Sequence, residues 1–250
     1  MEVIAPILVL AFFCELVDSS LGMGYGTTLT PLLLLLGYTP AEVVPAILLS
    51  ECITGTLAGL LHHEFGNVEL RPGARDFKVA LVLTVFSLVG VLLGVGIAVN
   101  IPAWAVKGYV GLLVLGIGVS ILRNHGREIP FSWRRIAGLG LLASFNKGIS
   151  GGGYGPVVTG GQVLSGVKGR SAIGIASLAE GVTSAVGVSA YLCSAASIGW
   201  HLAPSLLLGA VLSVPISAYV VSRLPTERLT LVIGGVSTGL GIYTLVRVVV

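Results

Sequence analysis

Three ionisable side chains in this 250-residue chain stand where few charges are expected, in or beside long apolar stretches. Glu51 and Glu180 lie in the middle of apolar runs, and Lys147 comes just before a glycine-rich sequence. At the centre of a bilayer a charged side chain costs about 2.5–3.5 kcal/mol on insertion scales, so residues of this kind are functional candidates by default. The two acids are candidate proton carriers, and Lys147 is a candidate partner for a negatively charged ligand.

The glycine-rich sequence beside Lys147 occurs twice. Gly22-Met-Gly-Tyr-Gly26 returns in the second half of the chain as Gly151-Gly-Gly-Tyr-Gly155. When the chain is aligned with itself so that position 22 falls on position 151, identities continue without a gap well past the glycines, and Glu51 falls on Glu180. Lys147 falls on Asp18, which we add to the proton-coupling candidates. Leucines match by chance in apolar helices, but paired acids in register do not, so the pattern indicates a duplicated half built around a glycine break.

The composition predicts a polytopic membrane protein. Hydrophobic residues make up 54% of the chain and charged residues 10%, with a mean hydropathy of +0.99, whereas soluble domains carry about 25% charged residues. The first basic residue is Arg71, so the apolar N-terminal stretch lacks the positive region of a secretory signal and is predicted to be a retained helix. The sequence has no cysteine spacing for a metal, no cofactor motif and no basic face for nucleic acid.

Ten apolar segments, five in each half, predict an all-α fold. They are 3–17, 27–37, 41–62, 77–99, 103–122, 136–149, 156–166, 170–195, 199–222 and 228–248. A crossing helix needs about 20 apolar residues, so 27–37, 136–149 and 156–166 are predicted to be half-helices that end inside the bilayer. Irregular backbone is tolerated at that depth where it lines a cavity or is buried in protein. Either re-entrant hairpins or full crossings accommodate the glycine breaks.

The basic residues predict the orientation of the chain. Arginines and lysines gather in the connections that follow odd-numbered segments, above all in 123–135, while 38–40 and 195–199 carry almost no charge. By the positive-inside rule the basic connections are cytoplasmic and both termini lie outside. Each half then has an odd number of crossings, so the two copies run in opposite directions. We therefore predict two inverted-topology repeats, residues 1–122 and 136–250, joined by a basic cytoplasmic linker, 123–135.

Inverted repeats with broken helices are typical of transporters, with substrate bound between the repeats near the midplane. Thr27 and Pro156 are predicted to begin the second half-helix of each pair, because Thr caps helices and Pro suits a first turn. The free N–H groups and positive dipole ends at these helix starts favour an anion. The predicted substrate site comprises Gly22, Gly24, Tyr25, Gly26, Thr27, Asn146, Lys147, Gly151, Gly152, Gly153, Tyr154 and Gly155.

Each of these assignments has a structural alternative. The glycines also allow close helix packing, although packing alone does not explain two short helices at matching places. Lys147 can instead form a structural ion pair with Asp18. A neutral Glu51 or Glu180 can hydrogen-bond the unwound backbone and fix the half-helices in place. His62 and His63 lie at a cytoplasmic helix end and are expected to be interfacial.

On these features the chain resembles the sulfite exporter TauE/SafE family of membrane permeases. The similarity covers the whole chain. It rests on the twin glycine breaks, each followed by a short apolar helix running to Gly37 or to Gly166, and on the basic central linker. The resemblance implies a permease for sulfur-containing anions, such as sulfite, sulfoacetate and other organosulfonates, in the plasma membrane of a bacterium or archaeon.

The functional prediction is therefore a secondary transporter for a small sulfur-containing anion that works by alternating access, with proton coupling as an option. A passive anion channel and a non-transport membrane assembly factor are the alternatives. An enzyme is not predicted, because the sequence offers neither a nucleophile–base pair nor a metal or redox cluster. The expected partners are the anion and the lipid bilayer. The sequence leaves the oligomeric state open, with a homodimer as one arrangement.

Overall fold

The computed structural model describes residues 3–98, 103–127, 129–150, 154–193 and 200–249. Within them the chain is all-helical, with ten helices and no strand. In chain order they are α1 (Ala5–Leu21), α2 (Tyr25–Leu35), α3 (Pro40–Glu64), α4 (Arg75–Ala98), α5 (Ala103–Arg123), α6 (Trp133–Ser150), α7 (Tyr154–Val163), α8 (Gly169–Cys193), α9 (Ala203–Arg223) and α10 (Thr226–Val249). Each helix corresponds to one predicted apolar segment, which confirms the all-α prediction.

Several described helices are long and apolar enough to cross a membrane. The four candidate spans are Glu42–Glu64, Gly169–Ser189, Ala203–Arg223 and Thr226–Val246. By contrast, α2 has 11 residues and α7 has 10, so at 1.5 Å per residue each reaches about 15–17 Å, roughly half of the hydrocarbon core. These two helices are too short to cross, as the sequence predicted.

Helix α6 corrects one of the predicted lengths. The segment 136–149 was expected to be a half-helix, but α6 has 18 residues, Trp133–Ser150. It begins before the apolar run because Trp133, Arg134 and Arg135 continue the helix in the N-terminal direction. The hydropathy pattern stops at the arginines, so it places the start of this segment too late, whereas charged residues can form the first turn of a helix.

The starts of the two short helices differ from the prediction as well. Helix α2 begins at Tyr25 instead of Thr27, and α7 begins at Tyr154 instead of Pro156. The first break is therefore confined to residues 22–24, where Gly22 has φ +70° and Gly24 has φ +133°. L-residues with side chains rarely adopt such angles, so glycine is required at the turn itself.

The most extensive helix pairings join the two halves of the chain. Helix α1 packs against α9, α4 against α6, α3 against α8, and α5 against α10. Each helix of the first half has its counterpart five helices later, so α1 corresponds to α6 and α4 to α9. Replacing each helix by its counterpart turns the α1–α9 pair into the α4–α6 pair. The same replacement leaves the α3–α8 and α5–α10 pairs unchanged. The halves are thus interleaved, and neither forms a separate core.

Helices α3 and α8 approach with their backbones almost in contact. A Cβ added to Gly55 would lie 2.9 Å from Gly181 Cα, and one added to Gly181 would lie 2.7 Å from the backbone nitrogen of Thr56. Glu51 is one helical turn from Gly55, and Glu180 directly precedes Gly181. The crossing therefore brings the two acids, which come from different halves of the chain, to the same level of the bundle.

Candidate functional site

The first glycine break lies directly against the start of α7. The Thr159 hydroxyl on α7 donates a 2.7 Å hydrogen bond to the Gly22 carbonyl oxygen. A Cβ added to Gly155 would come within 2.7 Å of both that oxygen and Met23 Cα. Glycine at position 155 thus allows the backbone at the tip of one short helix to contact the break that precedes the other.

A small cavity of about 20 Å³ lies where these tips meet. A space of that size holds about one water molecule, so a polyatomic ligand requires lining groups to move apart. The lining residues come from α1, α3, α6 and α8, from the first glycine break and from the starts of both short helices. All of them are among the sequence candidates: Asp18, Gly24, Tyr25, Gly26, Thr27, Glu51, Lys147, Tyr154, Gly155 and Glu180.

Lys147 is the cation of this cavity, and both central acids hold it. Its Nζ lies 3.0 Å from Glu180 Oε1 and 3.3 Å from Glu51 Oε2. It also donates to Ser184 Oγ at 3.3 Å. The side chains of this ion-paired group are only 6–12% exposed. Among the described residues these acids, and not Asp18, are the ion-pair partners of Lys147.

The ion-paired group is further fixed by its neighbours. Ser184 donates a 3.0 Å hydrogen bond to Glu51 Oε2, and the Lys147 ammonium lies 5.2 Å from the centre of the Tyr154 ring. An aromatic face at this distance attracts a cation. A Cβ added to Gly26 would lie 2.7 Å from Glu51 Oε1, so the glycine also makes room for the carboxylate beside the α2 backbone.

Asp18 occupies the N-terminus of α2, where an anionic ligand was expected. Its Oδ1 accepts a 3.2 Å hydrogen bond from the backbone N–H of Tyr25. A carboxylate at this position satisfies one of the unpaired N–H groups and complements the positive end of the helix. Because this cap comes from the preceding helix, across the glycine break, it explains why α2 starts before Thr27.

Two of the predicted hydrogen-bond donors are already engaged. The Tyr25 hydroxyl pairs with Ser50 Oγ at 2.9 Å, and the Tyr154 hydroxyl pairs with Ser87 Oγ at 3.2 Å. In contrast, Thr27 Oγ1 is buried without a hydrogen-bond partner in the described structure, which leaves this hydroxyl for a ligand.

The remaining predicted site residues lie around the cavity or outside the described chain. Gly22 is buried at the break, and Asn146 is fully buried on α6, but neither lines the cavity. Gly151, Gly152 and Gly153 fall outside the described residues.

Sequence reasoning missed Glu15 and Ser184. Glu15 is 1% exposed on α1 and accepts a 2.6 Å hydrogen bond from Ser19 Oγ. The criterion that singled out Glu51, an acid inside an apolar run, also applies to Glu15. Nothing in the sequence distinguishes Ser184 from the other serines, because its role depends on the position of α8 beside α3.

His62 was expected at an interface, but it is fully buried. Its Nε2 lies 2.8 Å from the Ser19 carbonyl oxygen, and its Nδ1 lies 2.9 Å from Asn67 Nδ2. Asn67 donates in turn to the Ala218 carbonyl oxygen at 2.8 Å. The ring therefore donates from Nε2 and accepts at Nδ1, which ties α3 to α1 and α9.

Acids outnumber bases around the cavity. Glu15, Asp18, Glu51 and Glu180 lie within electrostatic range of one another, whereas Lys147 is the only base among the described lining residues. Uncompensated buried charge costs several kcal/mol per ion.

The described residues contain no group of three or more His, Cys, Asp or Glu side chains arranged to hold a metal ion.

Comparisons with known proteins agree with this membrane architecture. The family model described as "Sulfite exporter TauE/SafE" matches residues 7–244. The "Probable membrane transporter protein YtnM" of Bacillus subtilis (strain 168) is 30% identical over 235 residues, which cover 88% of this chain and 75% of that protein. No solved structure matches the chain. The family match spans both glycine breaks and nearly all ten helices, and the chain belongs to the TauE/SafE sulfite exporter family of multi-pass membrane transporters.

Proposed function

We propose that this protein is a secondary transporter that moves a small sulfur-containing anion across the plasma membrane by alternating access. The observation that carries the proposal is the position of Lys147. Its ammonium lines a cavity between the tips of two half-helices, beside the unpartnered hydroxyl of Thr27. A buried cation and a hydroxyl without a hydrogen-bond partner are groups that bind an oxyanion. The family description names sulfite, and the proposed substrate class extends from sulfite to sulfoacetate and other organosulfonates.

An inverted repeat gives this site two ways to open. The reciprocal pairing of α1 with α9 and of α4 with α6 is the pattern that two copies related by a two-fold axis produce. Combined with the basic cytoplasmic loops, it supports repeats 1–122 and 136–250 of opposite topology, with both termini outside. The two half-helices then enter from opposite sides and meet at the cavity, so that rocking of the repeats exposes the cavity to one side at a time.

Proton coupling through Glu51 and Glu180 is part of the same proposal. Both acids contact Lys147 and are almost completely shielded from solvent. A carboxylate that loses its cationic partner in such surroundings gains stability by taking up a proton. Asp18 is a further carrier, since it lines the same cavity.

The proposal is tested by anion uptake into proteoliposomes. Sulfite, sulfoacetate, thiosulfate and sulfate are compared with and without a pH gradient, for the natural protein, for Lys147→Ala and for the control Lys168→Ala. Lys168 is an exposed base outside the cavity. Because an oxyanion loses the one cation of the described cavity lining, Lys147→Ala is expected to lower uptake by about 100-fold, a loss typical of removing a buried charged partner. Lys168→Ala is expected to change uptake less than about twofold.

Two outcomes would contradict the proposal. Undiminished uptake by correctly inserted Lys147→Ala protein would remove the assigned site. Uptake that neither saturates nor shows exchange of internal for external anion would indicate a passive channel instead of a transporter.

A further inference from the structure

All three N–H donors of Lys147 are already occupied. An ammonium group has three donors, and the described acceptors are Glu51 Oε2, Glu180 Oε1 and Ser184 Oγ, each within 3.3 Å. Under the proposed function, on which this inference rests, an anion must contact this ammonium. It can do so only if one of these partners leaves.

The partner that leaves is a carboxylate, because an incoming anion repels Glu51 and Glu180 but not a neutral serine. Among the described lining residues there is no second base for a displaced carboxylate to pair with. The titratable groups that face the site are Glu15 and Asp18 on α1, Tyr25 on α2, Glu51 on α3, Tyr154 on α7 and Glu180 on α8. None of these described groups is a cation, so a displaced carboxylate would remain unpaired in a largely buried space that holds about one water molecule.

We propose that an anion binds at Lys147 by counter-ion exchange: it replaces one carboxylate of the Glu51–Glu180 pair, and that carboxylate takes up one proton. The formal charge of the closed site is then the same before and after a monovalent anion binds. One proton is taken up for each anion bound, so anion binding is coupled to proton binding at the same site and no separate proton pathway is needed. The exchange also narrows the proposed substrate class. One ammonium balances one negative charge, which favours singly charged oxyanions, such as bisulfite and simple monosulfonates, over the doubly charged sulfoacetate and sulfate.

Calorimetric titration of the purified protein with methanesulfonate measures the protons directly. The titration is repeated in two buffers of different ionisation enthalpy, because the difference in measured heat gives the number of protons taken up. We expect about one proton per methanesulfonate, and an affinity that falls about tenfold per pH unit wherever the pair is ionised. Sulfate, of similar shape but doubly charged, is expected to bind at least about tenfold more weakly.

The results separate this inference from the proposed function. Methanesulfonate binding without proton uptake would overturn counter-ion exchange and leave the transporter proposal intact. Equal affinity for sulfate would overturn the assignment to monovalent anions. If no anion in the series binds to the natural protein, the proposed anion site itself fails.

Variants identify the exchanging groups. Glu51→Gln and Glu180→Gln each leave one carboxylate on Lys147 and are expected to retain uptake of about one proton. The double variant leaves none and is expected to bind methanesulfonate with no proton uptake. The control Glu69→Gln removes an exposed acid outside the cavity and is expected to match the natural protein. A full proton taken up by the double variant would overturn the assignment to this pair.

Discussion

At the scale of single residues, the main feature of the cavity is that acidic side chains outnumber basic ones. Lys147 receives one carboxylate from each half of the chain, Glu51 and Glu180, and its ammonium faces the Tyr154 ring. Glu15 and Asp18 lie close enough to interact electrostatically with these two acids. In a low-dielectric interior such an excess of acids attracts cations and protons, so the proposed anion is expected to enter together with positive charge or to displace negative charge.

The identities of the charged residues were predictable, but their partners were not. An acid or a lysine in an apolar run is visible in the sequence, and on that criterion Glu51, Glu180 and Lys147 were all found. Lys147 was considered as a partner of Asp18, its counterpart in the repeat. It pairs instead with acids on two other helices, because the packing of α3, α6 and α8 decides which carboxylates are within reach.

At the scale of the elements, the contact between the first break and α7 depends on a missing side chain. Gly155 is the second residue of α7 and lies against the backbone of Gly22 and Met23. Backbone cannot retreat as a flexible side chain can, so any Cβ at this position separates the two tips. The Thr159 hydroxyl, which donates to the Gly22 carbonyl oxygen, would lose its partner as well.

We therefore expect Gly155→Ala to disrupt the site. Overpacking of this kind costs about 1–3 kcal/mol, and the lost contact between the tips should also reduce anion uptake. The matched control is Gly138→Ala on α6, where an added Cβ meets nothing within 4 Å. The control should keep or raise stability, because Ala favours a helix interior by up to about 1 kcal/mol over Gly. Thermal unfolding in detergent compares the two, and equal stability would contradict the close contact.

Helix existence was easier to predict than helix ends. Each of the ten described helices matches an apolar run that the sequence analysis identified. The start of α2, in contrast, was predicted two residues too late. It lies at Tyr25 because the Asp18 side chain caps the helix from across the glycine break. Local cap preferences consider only adjacent residues, and they favoured Thr27. Likewise, charged residues at the start of α6 extended a helix that hydropathy alone made too short.

At the scale of the whole molecule, the interleaved pairing of helices links the two halves mechanically. Each of the closest helix pairs contains one helix from either half, so a movement of one half changes the packing of the other. The sequence predicted the duplication, since the second glycine break and Glu180 repeat the first break and Glu51 in register. It did not predict which helices pair, because amphipathic patterns do not identify a partner when lipid also faces the helices.

The predicted orientation is open to a labelling test. Single cysteines at Glu69 and Arg127, both exposed in connections after odd-numbered helices, should react with a membrane-impermeant reagent only from the cytoplasm. A cysteine at the exposed His201, on the connection between α8 and α9, should react only from outside. The reverse pattern would place both termini inside and overturn the assignment from basic residues.

The most direct test of the central claim, that the anion binds between the half-helix tips, is protection of a cysteine at Thr27. The natural Cys14, Cys52 and Cys193 are first replaced, and the control cysteine is placed at the neighbouring Thr28, which is exposed outside the cavity. A small methanethiosulfonate reagent then labels each variant with and without methanesulfonate. Bound anion should slow labelling at position 27 about tenfold under near-saturating conditions and leave position 28 unchanged. Equal labelling of position 27 in both conditions, in protein that still transports the anion, would place the binding site elsewhere.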